Sequence, residues 1–304
     1  MPTRAGYELE EVMWIDETEG YGVKPESGTW KPTMLVTEYV ARKLTERKEK
    51  IGIGTQVATE FQKVKQHVEA RILHGLLAKS SNPAFEWTDF YTHIVGSGLT
   101  PANVIAPFSL GVKLALATPE YELLTGCKVR TYELRSALGD KVIGTADIIA
   151  QELTYGTVDF VSGTATRGGK PTTNPILFSD CDIQYKGASV MDRISEFSFA
   201  FNRELHRLGS KATNKLLLRE LREGKREYEA SITIDFDSTT EYTDYLSDTQ
   251  FNMIIDIPTG SGGRRLTLSN GRWLTAPDRR MRELDLINVR LTAKFPTLTI
   301  ETIA

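Results

Sequence analysis

The sequence predicts a mainly β protein of two similar units in tandem, each a sandwich or barrel with one short helix. Three observations point there: apolar residues recur at every second position, the two halves share short patterns in the same order, and a Gly/Thr/Pro-rich stretch separates them. The 304 residues are 40% hydrophobic and 25% charged, ordinary for a globular chain and enough for about two domains.

Alternation is cleanest over 228–237. Tyr228, Ala230, Ile232, Ile234 and Phe236 interleave with Glu229, Ser231, Thr233, Asp235 and Asp237. Period two places the first set on a core face and the second on a wet face. Phe197, Phe199 and Phe201 alternate in the same way with Glu196, Ser198 and Asn202, and Ile287, Val289 and Leu291 with Asn288, Arg290 and Thr292. Strands wet on one side are those of antiparallel sheets.

Two helices are predicted among the strands. Asn82-Pro83 supplies a side-chain cap and a proline at the first helical position, and Trp87, Phe90, Tyr91 and Ile94 follow at helical spacing. The second begins near Thr239 or Thr240 and carries the stripe Tyr242, Tyr245 and Leu246.

The repeat is read from three matches. Val68-Glu-Ala-Arg-Ile72 parallels Tyr228-Glu-Ala-Ser-Ile232, Trp87-Thr-Asp-Phe90 parallels Tyr242-Thr-Asp-Tyr245, and Tyr121-Glu-Leu-Leu-Thr-Gly126 parallels Leu266-Thr-Leu-Ser-Asn-Gly271. The expected boundaries are an N-terminal arm over 1–30, a first β unit over 31–155, a linker over 156–175 and a second β unit over 176–304. The arm holds the short apolar patch Met13-Trp14-Ile15, which cannot bury much alone and is expected either to fray or to dock on something else.

Catalytic and cofactor motifs are not expected. Gly163–Lys170 imitates a phosphate loop, but Gly169 stands where the lysine belongs and Pro171 removes an amide donor. His67, His74, His93 and His206 have no metal-ligand spacing, and Cys127 and Cys181 read as two buried free thiols. No secretory signal and no membrane-length apolar run is seen, so synthesis in the cytoplasm is expected. The net charge of −3 and pI near 5.9 argue against tight binding of nucleic acid.

Residues 203–227 carry eight Lys and Arg (203, 207, 211, 215, 219, 222, 225 and 226) against four acids. Lying between two strands, they read as a long connecting loop with a helical turn over Leu216, Leu217, Leu218 and Leu221. A solvated loop with i,i+4 charge pairs is the plain reading, a nucleic-acid patch would lack interleaved aromatics, and the four leucines favour a third, docking on a neighbouring subunit.

The segments 176–183, 194–202 and 221–236, with Tyr121-Glu-Leu-Leu-Thr-Gly-Cys-Lys-Val129 and Gly20-Tyr-Gly-Val-Lys-Pro25, resemble the tail-tube proteins of long-tailed, siphovirus-like phages and viruses. The resemblance covers most of the chain and is strongest from about 120 to 260. It implies a non-enzymatic virion component made in the host cytoplasm. Inner sheets would join into a closed barrel, and rings would stack into the conduit for the genome. A chain of two tail-tube-type units would build a ring as a trimer with pseudo-sixfold symmetry, with a hexamer of chains as the alternative. Six units of four strands make a barrel of about 24 strands, ~40 Å across the backbone, with a bore on the order of 30 Å.

On that basis Glu69, Glu196, Ser198, Asn202, Glu229, Ser231, Thr233, Asp235 and Asp237 are expected to line the bore, repelling phosphate so that DNA passes without specific binding. Arg71 departs from this pattern. Arg207, Lys211, Lys215, Arg219, Arg222 and Lys225 are expected to form an inter-ring contact loop. Expected partners are copies of the chain and other tail proteins, with no cofactor and no membrane. The rival readings are a baseplate adaptor, a decoration protein and, from another class, a jelly-roll glycosidase.

Overall fold

A computed structural model describes residues 8–18, 21–32, 36–47, 64–75, 105–116, 118–169, 174–209, 218–235, 240–258, 263–274 and 288–303. The first half holds β1 (Glu8–Asp16), β2 (Thr29–Pro32), β3 (Val36–Arg47), β4 (Val64–Gly75), β5 (Phe108–Ala115), β6 (Glu120–Ala137), β7 (Ile143–Ala150), β8 (Glu152–Gly156) and β9 (Thr166–Arg167). A 3-10 turn, Phe178–Asp180, precedes β10 (Asp182–Tyr185), β11 (Ala188–Ser189), β12 (Ile194–Gly209) and β13 (Leu218–Asp235). Helix α1 (Thr240–Leu246), β14 (Phe251–Pro258), β15 (Gly263–Trp273), β16 (Asn288–Phe295) and β17 (Thr297–Ile303) complete the chain. The fold is mainly β. Helix α1 stands where the stripe Tyr242, Tyr245 and Leu246 puts it; the helix expected from Asn82 lies outside the described residues, as does the Trp87–Phe90 match.

Pairings made in the first half recur in the second. β3 pairs β4, β4 pairs β7, and β7 pairs β6; likewise β12 pairs β13, β13 pairs β16, and β16 pairs β15. A second set, β1–β5–β6–β8, is matched by β10–β14–β15–β17. β6 and β15 each serve both sets, so each must turn a corner part-way along. At the corner of β6, Gly126 has φ of +65° and donates its amide to Glu17 Oε1 at 2.7 Å. At the corner of β15, Asn270 has φ of +57° and donates its amide to Asn252 Oδ1 at 3.0 Å. Gly and Asn are the residues that tolerate this left-handed backbone. The register makes Asn270 the counterpart of Gly126: Phe108 lies opposite Cys127 and Phe251 opposite Gly271. The sequence match of Gly126 with Gly271 is therefore out by one residue.

β6 also pairs β12 antiparallel, Glu196 opposite Ala137 through Asn202 opposite Thr131. One sheet thus runs β3–β4–β7–β6–β12–β13–β16 across both halves. Its apolar face carries Val68, Ala70, Ile72, Tyr132, Leu134, Phe197, Phe199, Phe201, Ile232, Ile234, Val289 and Leu291, all buried in a single core cluster that spans both halves. Apolar alternation at about 2 kcal/mol per fully buried side chain holds each strand with this face inward. Cys127 and Cys181 lie free within that cluster, and burial raises both thiols, that of Cys181 to about 12.

Two expectations need correction. Residues 8–16 are not a separate arm, because β1 pairs along its length with β5. The apolar patch decides this: Met13, Trp14 and Ile15 are buried. Nor is 156–175 a bare linker. β9 pairs β2 in parallel, and Phe160 packs against Trp30 with ring centroids 4.8 Å apart. Arg167 ties the segment down through Asp159 at 2.7 Å and Glu11 at 3.5 Å.

Candidate assembly surface

The face opposite the core is wet, and the register sets its rows. One row reads Arg71, Asp147, Thr131, Asn202, Glu227, and the next Leu73, Thr145, Glu133, Ala200, Glu229, Lys294. A third reads Arg135, Ser198, Ser231, Thr292, and a fourth Glu196, Thr233, Arg290. Short hydrogen bonds knit these rows: Thr131 Oγ1 donates to Asp147 Oδ2 at 2.7 Å, and the hydroxyls of Ser231 and Thr292 lie 2.9 Å apart. Thr233 Oγ1 reaches Glu196 Oε2 at 3.4 Å.

The register brings Glu196, Ser198, Asn202, Glu229, Ser231, Thr233 and Asp235 onto this one face of β12 and β13. Asn202 is exposed, Glu196, Glu229, Thr233 and Asp235 are half-buried, and the short hydroxyls of Ser198 and Ser231 sink between longer neighbours. Asp237 lies outside the described residues. Glu69 sits on the same face of β4, 3.6 Å from Arg130 and 3.4 Å from Arg207. The face is not uniformly acidic. Arg71, Arg135, Arg290 and Lys294 share it, with Lys294 directly opposite Glu229. Strand alternation located the face; the sign of its charge depends on strands whose order only the fold determines.

The basic stretch is not a long loop. β12 continues to Gly209 and β13 starts at Leu218, so most of 203–227 is a two-stranded ribbon with bulges near Arg203/Leu205. The helical turn over 216–221 is replaced by strand from Leu218 onward. Leu221 is buried on this chain's own Ile149, with Leu205 and Tyr21 packed beside them. Arg207, Arg219, Arg222 and Lys225 lie on the ribbon, where Arg222 and Lys225 are exposed; Lys211 and Lys215 fall outside the described residues.

The ribbon is held by a buried charge cluster that sequence reasoning missed. Glu223 Oε1 lies 3.0 Å from Lys128 Nζ and accepts the Ile105 amide at 2.8 Å, while Glu223 Oε2 lies 3.4 Å from Arg203. Lys128 also donates to the Leu221 carbonyl at 3.1 Å. Arg203 is fully buried, and desolvation lowers its guanidinium to about 10, still charged at neutral pH. Removing one partner from such a group strands the other charges. The signal was faint but present: Leu221 and Glu223 share one side of a strand with period two, inside a run that otherwise reads as solvated charge.

Among the described residues no cluster of His, Cys, Asp and Glu could hold a metal ion, and no helix is long and apolar enough to cross a membrane. Paired ladders, strands shared between sheets and one sheet continuous across both halves define a mainly β, sandwich-like protein with a polar face on that sheet. The chain belongs to the phage tail tube protein family, whose model matches residues 54–296. No curated protein matches it. Membership makes it a structural subunit of the tail tube, a component of the virion tail.

Proposed function

We propose that the chain is two tandem tail-tube units and that three copies close into a ring of six quasi-equivalent sheet segments. Stacked rings then form the conduit for DNA. The observation that carries this reading is the β6–β12 ladder, where the two halves are already joined edge to edge. The outer edges of the same sheet belong to β3, paired among the described residues only with β4, and to β16, which β15 covers only at Ala293 and Lys294. Open edges of this kind invite another strand, and closure removes them. In a ring, β3 of one copy meets the β15–β16 edge of the next as β12 meets β6 within the chain. The family itself implies association with like copies and with other tail proteins.

The polar face of β12, β13 and β4 then lines the bore. Two of its cations lie opposite carboxylates across the ladder, Lys294 opposite Glu229 and Arg71 opposite Asp147, which lowers the attraction that passing phosphates meet there. The β12–β13 ribbon, along which Arg207, Arg219, Arg222 and Lys225 lie, reaches toward the neighbouring ring; Lys211 and Lys215 belong to the same stretch of sequence.

Native mass spectrometry and electron microscopy of assembled protein test the stoichiometry: threefold rings are expected, and rings of six chains would overturn the tandem reading. The edge is tested by Val40→Pro in β3, where Val40 is 51% exposed. Proline disrupts strand addition, so a folded monomer that no longer assembles is expected. The combined change Glu229→Lys and Asp235→Lys should leave rings intact and slow DNA ejection; unchanged ejection would remove these residues from the bore.

A further inference from the structure

The turn that follows β6 projects from one end of the long sheet. Residues 137–140 form it: the Asp140 amide donates to the Ala137 carbonyl at 2.9 Å, and Gly139 has φ of +85°. A positive φ at the third position is what a type II turn requires. A Cβ on Gly139 would meet nothing within 4 Å, so the tip stands clear of the rest of the chain. Leu138 at the tip is 71% exposed, and Asp140 is exposed beside it. The Asp140 carbonyl accepts the Phe178 amide at 2.9 Å, and Phe178 is buried, so the turn is anchored from behind. An anchored, projecting turn with a leucine in water is built to meet another surface.

A cleft of matching chemistry lies at the other end of the same strand. It occupies about 660 Å³ between the β12–β13 ribbon and the sheet. Ile149 and Leu205 give it apolar walls, and Arg130, Arg203, Arg207 and Lys225 give it cations. Glu204 and Glu227 also line it. Beneath it, Glu69 is shared between Arg130 and Arg207, and Glu223 between Lys128 and Arg203. With Lys128 included, five cations stand against four carboxylates, so one more negative charge is favoured there. Arg130 and Leu138 are about 25 Å apart along β6 at the usual rise of a strand, too far for a chain to seat its own turn.

We propose that the β6–β7 turn of one copy seats in the cleft beneath the ribbon of a second copy. Leu138 packs on Ile149 and Leu205, and Asp140 brings the missing negative charge to the arginines. A carboxylate held by guanidinium groups fixes orientation as well as contact. The two surfaces differ and sit at opposite ends of one strand. The contact is therefore heterologous and repeats end to end without closing. Side-by-side edges close a ring, and this contact places one ring on the next. It rests on the proposed stacking of rings, to which it gives a direction.

Disulfide trapping tests the contact. Leu138→Cys with His206→Cys puts one thiol on the turn and one on the exposed rim of the cleft. The two positions cannot join within a chain, and Cys127 and Cys181 are buried. Mild oxidation of assembled protein is expected to give a ladder of linked chains extending past the dimer, where either single variant stops at the dimer. Stacked rings that yield no ladder overturn the contact and leave the ring reading standing. A ladder from protein that electron microscopy shows without closed rings overturns the ring reading and leaves the contact standing. Protein that gives neither overturns both. In a second arm, Leu138→Ser with Asp140→Lys should shorten tubes at least tenfold while rings persist and the isolated chain melts as the unaltered one does; tubes of undiminished length would also overturn the contact.

Discussion

The two halves share a ladder and differ in almost everything that fills it. Where the first half has Cys127 and Ala150, the second has Gly271 and Phe295, whose ring occupies the space a Cβ on Gly271 would need. The larger ring on one strand is accommodated by the missing side chain on its neighbour. His74 in β4 corresponds to Ile234 in β13, and Gly126 to Asn270, with Glu17 and Asn252 each accepting the corner amide. Lys128 is sealed under a hairpin while Arg272 is open. Backbone pairing is thus the shared property of the halves, and any side chain that fills the space and satisfies the corner serves it.

Breaking the sealed site should have the largest effect. Glu223→Ala leaves Lys128 and Arg203 buried without their carboxylate, a loss of about 3–5 kcal/mol, read by denaturant unfolding together with faster amide exchange over 203–209 and 218–227. A loss under about 1 kcal/mol would show that the ribbon is held by its leucine contacts alone.

Acid should come next. His74 is fully buried, with Nε2 3.3 Å from the Tyr132 hydroxyl, and desolvation lowers it from 6.5 to about 4. A base with a depressed folded pKa contributes its stability above the unfolded value and loses it as pH falls from about 6.5 toward 4, by about 3 kcal/mol at most. His74→Ile, the residue at the equivalent place, should flatten that part of the stability profile relative to the unaltered chain. Glu17, whose pKa burial raises, contributes with the opposite sign and is the same in both proteins.

The corners should separate by a smaller margin. Gly126→Ala puts a Cβ 2.8 Å from Gln151 Cβ at positive φ and should cost about 1–3 kcal/mol. Asn270→Gly should change stability by only a few tenths, because glycine adopts that φ freely. Smallest of all, Arg272→Ala should shift the stability of the isolated chain by less than about 1 kcal/mol, since its ion pair with Asp248 is exposed. Equal losses from Arg272→Ala and Glu223→Ala would erase the contrast between the two halves.

Much of the sheet was legible because period two is written residue by residue. Phe197, Phe199 and Phe201, then Tyr228 through Ile234, are buried as their alternation requires, and their polar neighbours share the other face. The basic stretch was misread because strand and solvated loop differ little in a charged run, and only Leu221 and Glu223 mark which side is buried. The first apolar patch, Met13-Trp14-Ile15, has no periodicity of its own, so its place beside β5 could not be read locally.

Alternation and the two-fold echo of short patterns determined a mainly β chain with wet and dry faces, and the segments 121–129, 176–183, 194–202 and 221–236 carried its resemblance to tail tube proteins. Those are properties of neighbours along the chain, which local sterics and hydrophobicity express directly. Only the tertiary structure decided that β6 pairs β12, that cations share the acidic face, and that Glu223 reaches Lys128 and Arg203. Each of these joins residues far apart in sequence, and nothing in a local pattern specifies which distant edge or charge a strand will meet.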